Sequence, residues 1–139
     1  MRTTTVLVSL CFAVLSPAAA AADLAIELDD VRVATGQLMV SVVDSADAWN
    51  GKARPVRGQS AAPTGTRARF EFKDLPPGDY AVMVMHDENG NGKLDSNMIG
   101  MPVEGYGFSN NPNVMRKPTF EEARFTLPQA GATIGISLR

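Results

Sequence analysis

Apolar and polar residues alternate in short stretches along most of the chain. Because successive side chains of a β-strand point to opposite faces, a period of two predicts strands with one buried face. Most of these stretches alternate in this way, and 38–43 and 81–85 are apolar at almost every position, as expected for strands covered on both faces. The predicted strands are 24–28, 38–43, 66–72, 81–85, 123–127 and 134–138.

The connections between these stretches also favour an all-β domain. No segment keeps a helical stripe of apolar residues, and glycine and proline recur between the strands. Residues 44–63 are polar and irregular, and we expect a helical turn near Trp49 and a short strand near Val56. Short strands separated by turn residues are typical of sandwiches and barrels, so we predict one antiparallel β-sandwich of about seven strands.

A tight corner supports this fold. In "FKDLPPGDYAV", residues 72–82, two prolines and a glycine reverse the chain, and Tyr80 begins the next strand with its hydroxyl able to bond back across the turn. This pattern resembles the corner of transthyretin-like and carboxypeptidase-regulatory-like sandwiches. The resemblance implies a transthyretin-like or immunoglobulin-like sandwich and brings no catalytic residue with it.

The start of the chain has a different composition. Arg2 precedes an almost entirely apolar run, residues 6–15, and a series of small residues follows. A positive start, a short apolar core and an A-x-A-like cleavage site are typical of a secretory signal peptide, and the run is too short to span a bilayer. We therefore predict that residues 1–22 are removed on export. Residues 23–139 would then form a single periplasmic or extracellular domain without a transmembrane segment.

Composition narrows the chemistry of this domain. The only cysteine, Cys11, lies within the predicted leader, so the domain has no disulfide and no thiolate metal ligand. The formal net charge of the chain is −2, which offers no basic surface for nucleic acid or for anionic lipid. The domain is long enough to bury a core, and its stability must come from packing, with a bound ion as a possible supplement.

The stretch "HDENGNGKLDSN", residues 86–97, resembles a calcium-binding loop placed after a strand. Oxygen ligands at alternating positions suit a hard cation, and the glycine in the middle of the loop permits the sharp turn that such loops need. The candidate ligands are the side chains of Asp87, Asn89, Asn91 and Asp95 and the main-chain carbonyl of Lys93.

The last position of the calcium template is not matched. Met98 stands where a bidentate Glu is expected, so Glu104 or a neighbouring loop would have to supply the missing ligand. We therefore predict a weak calcium site, with a Kd on the order of 10⁻⁴ to 10⁻³ M. The alternative is a plain turn, because Asn-Gly pairs favour tight hairpins and Asx side chains bond their own backbone.

Residues 96–119 show no clear periodicity, and loops of this length inside a compact domain are often functional. Tyr106 and Phe108 form a candidate ligand surface there, or else their rings plug one end of the sandwich. We also expect this segment to fold back over Met83 and Met85, which share one face of their strand. The apolar residues available for that contact are Met98, Ile99, Met101 and Met115.

Three motifs in this order, "HDENGNGKLDSN", "GYGFSNN" and "FEEARF", together with the preceding strand, resemble a bacterial secreted family known only as domain of unknown function 2141. The resemblance spans nearly all of the chain after the leader. It implies an envelope or extracellular location and a β-sandwich, and it implies no activity.

We therefore predict a non-enzymatic binding or accessory module of the bacterial envelope. Its partner would be an envelope protein or a small ligand, with calcium as the only expected cofactor. A rival is a copper-handling protein that uses Met83, Met85 and His86 as soft and imidazole ligands. Strand alternation sends His86 to the opposite face, so this rival needs a bulge in the strand.

A second rival is a hydrolytic enzyme. His86 is the only histidine of the chain and lies in no G-x-S-x-G context, so a serine triad has no support. The adjacent acid pairs Asp87-Glu88 and Glu121-Glu122 point to opposite faces if they lie in strands, which does not favour a pair of catalytic carboxylates.

Overall fold

The computed structural model describes residues 20–139, and most of its regular structure is β-strand. The elements in chain order are β1 (Ala22–Asp29), β2 (Gln37–Val43), α1 (Ala46–Trp49), β3 (Arg57–Ala61), β4 (Ala68–Leu75), β5 (Gly78–Asp87), β6 (Tyr106–Phe108), α2 (Phe120–Ala123), β7 (Phe125–Leu127) and β8 (Ala132–Ser137). The predicted signal peptide lies, up to residue 19, outside the described residues. Within residues 20–139 both helices are single turns, and neither is long and apolar enough to cross a membrane.

The strands form two sheets, which confirms the predicted all-β sandwich. One sheet has the order β4-β1-β8, and the other has the order β3-β2-β5-β6, with β7 paired to the start of β5. The pairing of β1 with β8 is parallel, because the chain crosses from β7 in the second sheet to enter β8 in the direction of β1. The other strand pairs within residues 20–139 are antiparallel, as predicted.

The main core lies between the inner faces of the two sheets. On β1, Leu24, Ile26 and Leu28 are buried while Glu27 between them is exposed, which confirms the period-two prediction for this strand. The second sheet contributes Val40, Val42, Val82 and Val84 to the same core. Burying each such aliphatic side chain stabilises the fold by about 1.5–3 kcal/mol.

The outer face of the second sheet explains why β2 and β5 are apolar on both sides. Val43 and Ala81 point outward and pack against Trp49 of α1 and Phe120 of α2 in a second apolar cluster. The helical turn predicted near Trp49 is therefore confirmed, and the short strand predicted near Val56 is β3. Further along this outer face, side chains of β2 and β5 line a cavity instead of packing under the helices.

The corner between β4 and β5 has the predicted tyrosine bond. The Tyr80 hydroxyl donates a hydrogen bond to the carbonyl of Pro76 at 2.7 Å, and its ring is buried. Burial raises the pKa of this hydroxyl. The bond fixes the start of β5, the strand on which most of the candidate site depends.

The predicted strand 123–127 is shorter than expected because a helical turn occupies its first residue. Thr119 caps α2: its hydroxyl accepts the Glu122 N–H at 3.3 Å, and the Glu122 carboxylate accepts the Thr119 N–H at 2.7 Å. Arg116 donates two further hydrogen bonds to Glu122, and these, with the bond from Thr119, lower the pKa of Glu122 to about 2. The strand β7 therefore begins only at Phe125.

Candidate functional site

A cavity of about 870 Å³ lies on the outer face of the second sheet. The pairing of β2 with β5 determines which side chains form the floor of this cavity. Met39 of β2 lies directly opposite Met85 of β5, and in the neighbouring pair Ser41 lies opposite Met83. Side chains of directly opposed residues are separated by about 5 Å in an antiparallel pair, so these methionines form one continuous apolar patch.

The strand β6 extends this floor with two aromatic rings. Tyr106 pairs with Met85 and Phe108 pairs with Met83, so both rings point to the cavity side of the sheet. The two ring centroids are 5.8 Å apart, and the Phe108 centroid lies 5.6 Å from that of Trp49. The structure thus places Tyr106 and Phe108, the predicted ligand surface, in the lining of the cavity. Neither ring enters the core between the sheets.

Two arms of the long segment form the walls. The first arm contributes Leu94 and residues 100–102, the second arm contributes residues 113–117, and Arg139 also belongs to the lining. The segment therefore surrounds Met83 and Met85 as expected, but it leaves both half-exposed to the cavity instead of covering them.

The tip of the first arm differs from the prediction. Met98 and Ile99 project into solvent, whereas they were expected to pack on the sheet. The reason is local: the Asn97 side-chain oxygen accepts the N–H groups of Ile99 and Met101 at 3.1 and 3.0 Å. This hydrogen-bonded turn fixes the tip with its two apolar side chains outward.

Methionine is the dominant residue type of the lining. Five methionines belong to the lining, and Met98 at the loop tip does not. One of the five, Met115, is 89% exposed, so it does not cover the sheet as predicted. Unbranched, polarisable methionine adapts its shape to what it contacts, so such a lining suits apolar ligands of irregular outline. The lining methionines are Met39, Met83, Met85, Met101 and Met115.

Cations border the cavity on the side of the second arm. The ammonium of Lys117 donates to the carbonyl of Trp49 at 2.6 Å and lies 5.2 Å from the centroid of the Trp49 ring. Burial lowers the pKa of Lys117. The guanidinium of Arg139 donates to the carbonyl of Pro112 at 2.5 Å. Within residues 20–139 neither cation forms an ion pair, in contrast to Arg116, which is paired with Glu122.

A smaller depression of about 370 Å³ lies on the outer face of the first sheet. Its walls carry exposed charges that already pair with one another: Lys73 contacts Asp23 at 2.9 Å, and Arg69 contacts Glu71 at 3.2 Å. Exposed pairs of this kind contribute little energy and leave no unmatched group for a ligand. The methionine-lined cavity is therefore the candidate site.

The predicted calcium loop lies beside this cavity. Asp87 is buried, and its carboxylate accepts three backbone N–H groups: Gly90 at 2.9 Å, Asn91 at 3.0 Å and Gly92 at 2.7 Å. One carboxylate thus closes the turn around the two glycines, which both have positive φ. This is the local backbone bonding that the plain-turn interpretation predicts.

Three of the remaining predicted ligands, Asn89, Asn91 and Asp95, contact one another in this loop. Asp95 accepts hydrogen bonds from the side-chain amides of Asn89 at 2.5 Å and Asn91 at 2.8 Å, and the bonds from Asn91 and Asn89 lower the pKa of Asp95. The Asn91 side-chain oxygen accepts the Lys93 N–H at 2.9 Å. Within residues 20–139 no group of three or more acidic, histidine or cysteine side chains is arranged to hold a metal ion. Calcium binding stays a prediction from the sequence.

Glu104, the suggested twelfth-position substitute, is brought to the loop by the fold. Its buried carboxylate accepts the N–H of Glu88 at 3.0 Å, of Asn89 at 3.3 Å and of Asp95 at 2.8 Å. This residue therefore joins both ends of the loop to the arm that leads into β6. Through Leu94, the same loop forms part of the cavity wall.

His86 does not meet the methionines of the copper hypothesis. The β2–β5 register is regular from Ala81 to Asp87, so no bulge turns His86 toward Met83 and Met85. The imidazole is fully buried on the other face, where Nε2 lies 2.8 Å from the carbonyl of Thr35. Its Nδ1 has no hydrogen-bond partner in the described part of the chain.

The acids of the hydrolase hypothesis do not meet at the cavity. The lining contributed by residues 20–139 contains no carboxylate and no histidine. Glu88 is held instead by Arg32 at 2.6 Å and by the Gly105 N–H at 2.9 Å. Although burial opposes the change, these bonds lower the pKa of Glu88.

Sequence reasoning did not identify Met39, Lys117 and Arg139 as site residues. A signal for Met39 was present, because β2 is apolar on both faces and its outer positions needed a partner. No local signal marks Lys117 or Arg139, since their positions at the cavity depend on the path of the second arm and on the pairing of Arg139 with Tyr106, whose backbone groups bond at 2.8 Å.

Comparison with known proteins gives one match. A bacterial family described as "Uncharacterized protein conserved in bacteria (DUF2141)" matches residues 26–135. No curated protein and no solved structure matches the chain significantly. The match covers more than half of the chain, so the chain belongs to the DUF2141 family.

Proposed function

We propose that this member of the DUF2141 family is a non-enzymatic ligand-binding module of the bacterial envelope, and that the methionine-lined cavity is its binding site. The observation that carries the proposal is the cavity itself. Its volume of about 870 Å³ falls in the range typical of small-molecule sites, about 300–1,000 Å³. Its lining is mostly apolar, with a few polar groups at the wall, as in such sites.

The floor and walls are preformed by hydrogen bonds within the protein. The floor belongs to three strands with regular register. The first arm is tied to the loop at residues 86–97 by the Val103 N–H, which donates to the carbonyl of Asp95 at 2.8 Å, and by the carboxylate of Glu104. A preformed site loses less conformational entropy on binding, which favours affinity.

The envelope location rests on the signal peptide predicted from residues 1–22. Expression of the full-length chain in a bacterial host with a secretory pathway, followed by mass spectrometry of the periplasmic product, tests it. A product that begins near Asp23 supports export, and an intact chain in the cytoplasm contradicts it.

The binding function is tested on that exported protein with a neutral fluorescent probe, N-phenyl-1-naphthylamine. We expect saturable binding with a stoichiometry of about one, because there is one cavity of this kind within the described residues. Trp49, the only tryptophan of the chain, contacts the wall through Phe108, so its emission provides a second readout of the same event.

A matched pair of variants locates the binding site. Met85→Glu places a charge on the floor and should weaken binding about tenfold or more, because a bound apolar probe leaves that charge without water or a partner. Met98→Glu makes the same chemical change at the exposed loop tip, outside the cavity. Equal affinity of both variants, or no saturable binding by the wild type, contradicts the proposal.

A further inference from the structure

The cavity combines an apolar floor with positively charged side chains in the rest of its lining. Met39, Met83 and Met85 form the floor, and Lys117 and Arg139 belong to the same lining. Arg139 donates to the carbonyl of Pro112, and Lys117 donates to the carbonyl of Trp49. The lining contributed by residues 20–139 therefore carries cations and no Asp or Glu side chain.

These two cations differ from the others near the site. Arg116 also lines the cavity, but two hydrogen bonds at 2.7 and 2.9 Å join it to the carboxylate of Glu122. Lys117 and Arg139 instead donate to backbone carbonyls, and within residues 20–139 neither is paired with an Asp or Glu side chain. A cation that has no counter-ion is stabilised by an anion that binds next to it.

We propose that the cavity binds a free amphipathic organic anion, with its apolar chain on the methionine floor and its carboxylate at Lys117 and Arg139. This inference rests on the proposed function and adds the chemical class of the ligand. The adaptable thioethers can follow the shape of an alkyl chain, and the two cations supply charge-assisted donors for carboxylate oxygens. The same positive charge opposes a metal cation among the thioethers, although methionine is a soft ligand for cuprous ion.

The test compares two ligands that differ only in the head group, decanoate and decanol. Each is titrated against the exported protein that carries bound N-phenyl-1-naphthylamine, and displacement gives its affinity. We expect decanoate to bind about tenfold tighter than decanol or better, as one or two charge-assisted hydrogen bonds imply. The preference should decrease as the salt concentration rises, because exposed charges are screened.

Variants that remove a positive charge identify the side chains that cause the preference for decanoate. In the double variant Lys117→Gln, Arg139→Gln, decanoate should lose its advantage while decanol keeps its affinity within about twofold. Lys52→Gln removes a charge from an exposed residue outside the cavity and should keep the preference. Cooperative thermal unfolding of the double variant, followed by circular dichroism, shows that it still folds.

The outcomes separate the two levels of the proposal. Equal binding of decanoate and decanol by the wild type overturns the anion inference and leaves the binding function intact. Failure of the neutral dye to bind the wild type overturns the binding function itself. Displacement of the dye by cuprous ion under anaerobic conditions, together with no preference for decanoate, overturns the inference in favour of a soft metal ion on the methionine floor.

Discussion

Removal of the Glu104 carboxylate should destabilise the protein, because three backbone N–H groups would lose their acceptor. Glu104 is buried and accepts three backbone N–H groups, those of Glu88, Asn89 and Asp95. An unsatisfied buried donor costs about 1–3 kcal/mol, but water can reach the N–H of the exposed Asn89. Glu104→Ala should therefore lower the free energy of unfolding by about 2–4 kcal/mol, or roughly 8–16 °C in Tm for a domain of this size.

The assay is thermal and urea unfolding of the exported protein followed by circular dichroism. Glu104→Gln is the sharper variant, because it keeps the shape and one acceptor but presents an NH₂ group to an N–H donor, and should cost about 1–2 kcal/mol. Glu121→Gln, on an acid whose side chain is 70% exposed, is the matched control and should change stability by less than about 0.5 kcal/mol. If Glu104→Ala melts within about 2 °C of wild type, the three hydrogen bonds to the Glu104 carboxylate do not stabilise the fold as argued.

Three further predictions test the loop and its surroundings. Gly36→Ala should cost about 2–5 kcal/mol in urea unfolding, because φ is +74° and the new Cβ would lie 1.9 Å from the carbonyl oxygen of Asp87; Gly51→Ala, with the same φ and nothing within 4 Å, should cost only about 1 kcal/mol. If the loop binds calcium, millimolar calcium added after EDTA should raise Tm by a few degrees, and magnesium should not. Asp95→Asn should abolish this shift. If calcium does not change Tm, the loop is a plain turn. Because the folded-state pKa of Glu122 is lowered to about 2, its stabilising contribution is complete above about pH 5 and is lost as the pH falls toward 2, so the stability difference between wild type and Glu122→Gln should shrink over that range; a constant difference contradicts this.

The calcium test cannot rely on Asp87, and the reason lies in the fold. Its carboxylate holds three N–H groups of the turn whether or not an ion is present. Asp87→Ala should therefore destabilise the loop in EDTA as well as in calcium. Asp95 accepts side-chain amides of two asparagines, and its replacement leaves the backbone bonds of the turn in place.

The regular strands could be predicted from the sequence because they depend on local periodicity. Leu24, Ile26 and Leu28 alternate with the smaller Ala25 and the charged Glu27, and the structure buries the three large side chains as the pattern predicts. The strand β6 could not be predicted, since three residues are too few to show an alternation of apolar and polar positions. It exists because Tyr106 and Phe108 meet β5 and because the backbone of Tyr106 bonds that of Arg139 at 2.8 and 3.3 Å.

The loop at residues 86–97 depends on local sequence, whereas the cavity depends on contacts between distant residues. The candidate calcium loop was predicted as a unit because its residues lie within nine positions of one another, and hydrogen bonds within the loop bring them together. The cavity depends on distant residues. Met39 and Met85 are opposed only through the β2–β5 register, and Lys117 reaches the wall only through the path of the second arm.

The contrast between the two outer sheet faces argues that the cavity is more than a packing defect. On the first sheet, the outward positions Arg69, Glu71 and Lys73 are charged and paired with one another or with β1, as expected for a face that meets water. The corresponding outward positions of the second sheet include Met83 and Met85, which are apolar and half-exposed. A face with no function beyond solvation would gain from the charged pattern, because apolar surface in water has a cost. The protein instead keeps an apolar floor and surrounds it with hydrogen-bonded walls, an arrangement that favours a bound apolar group over bulk water.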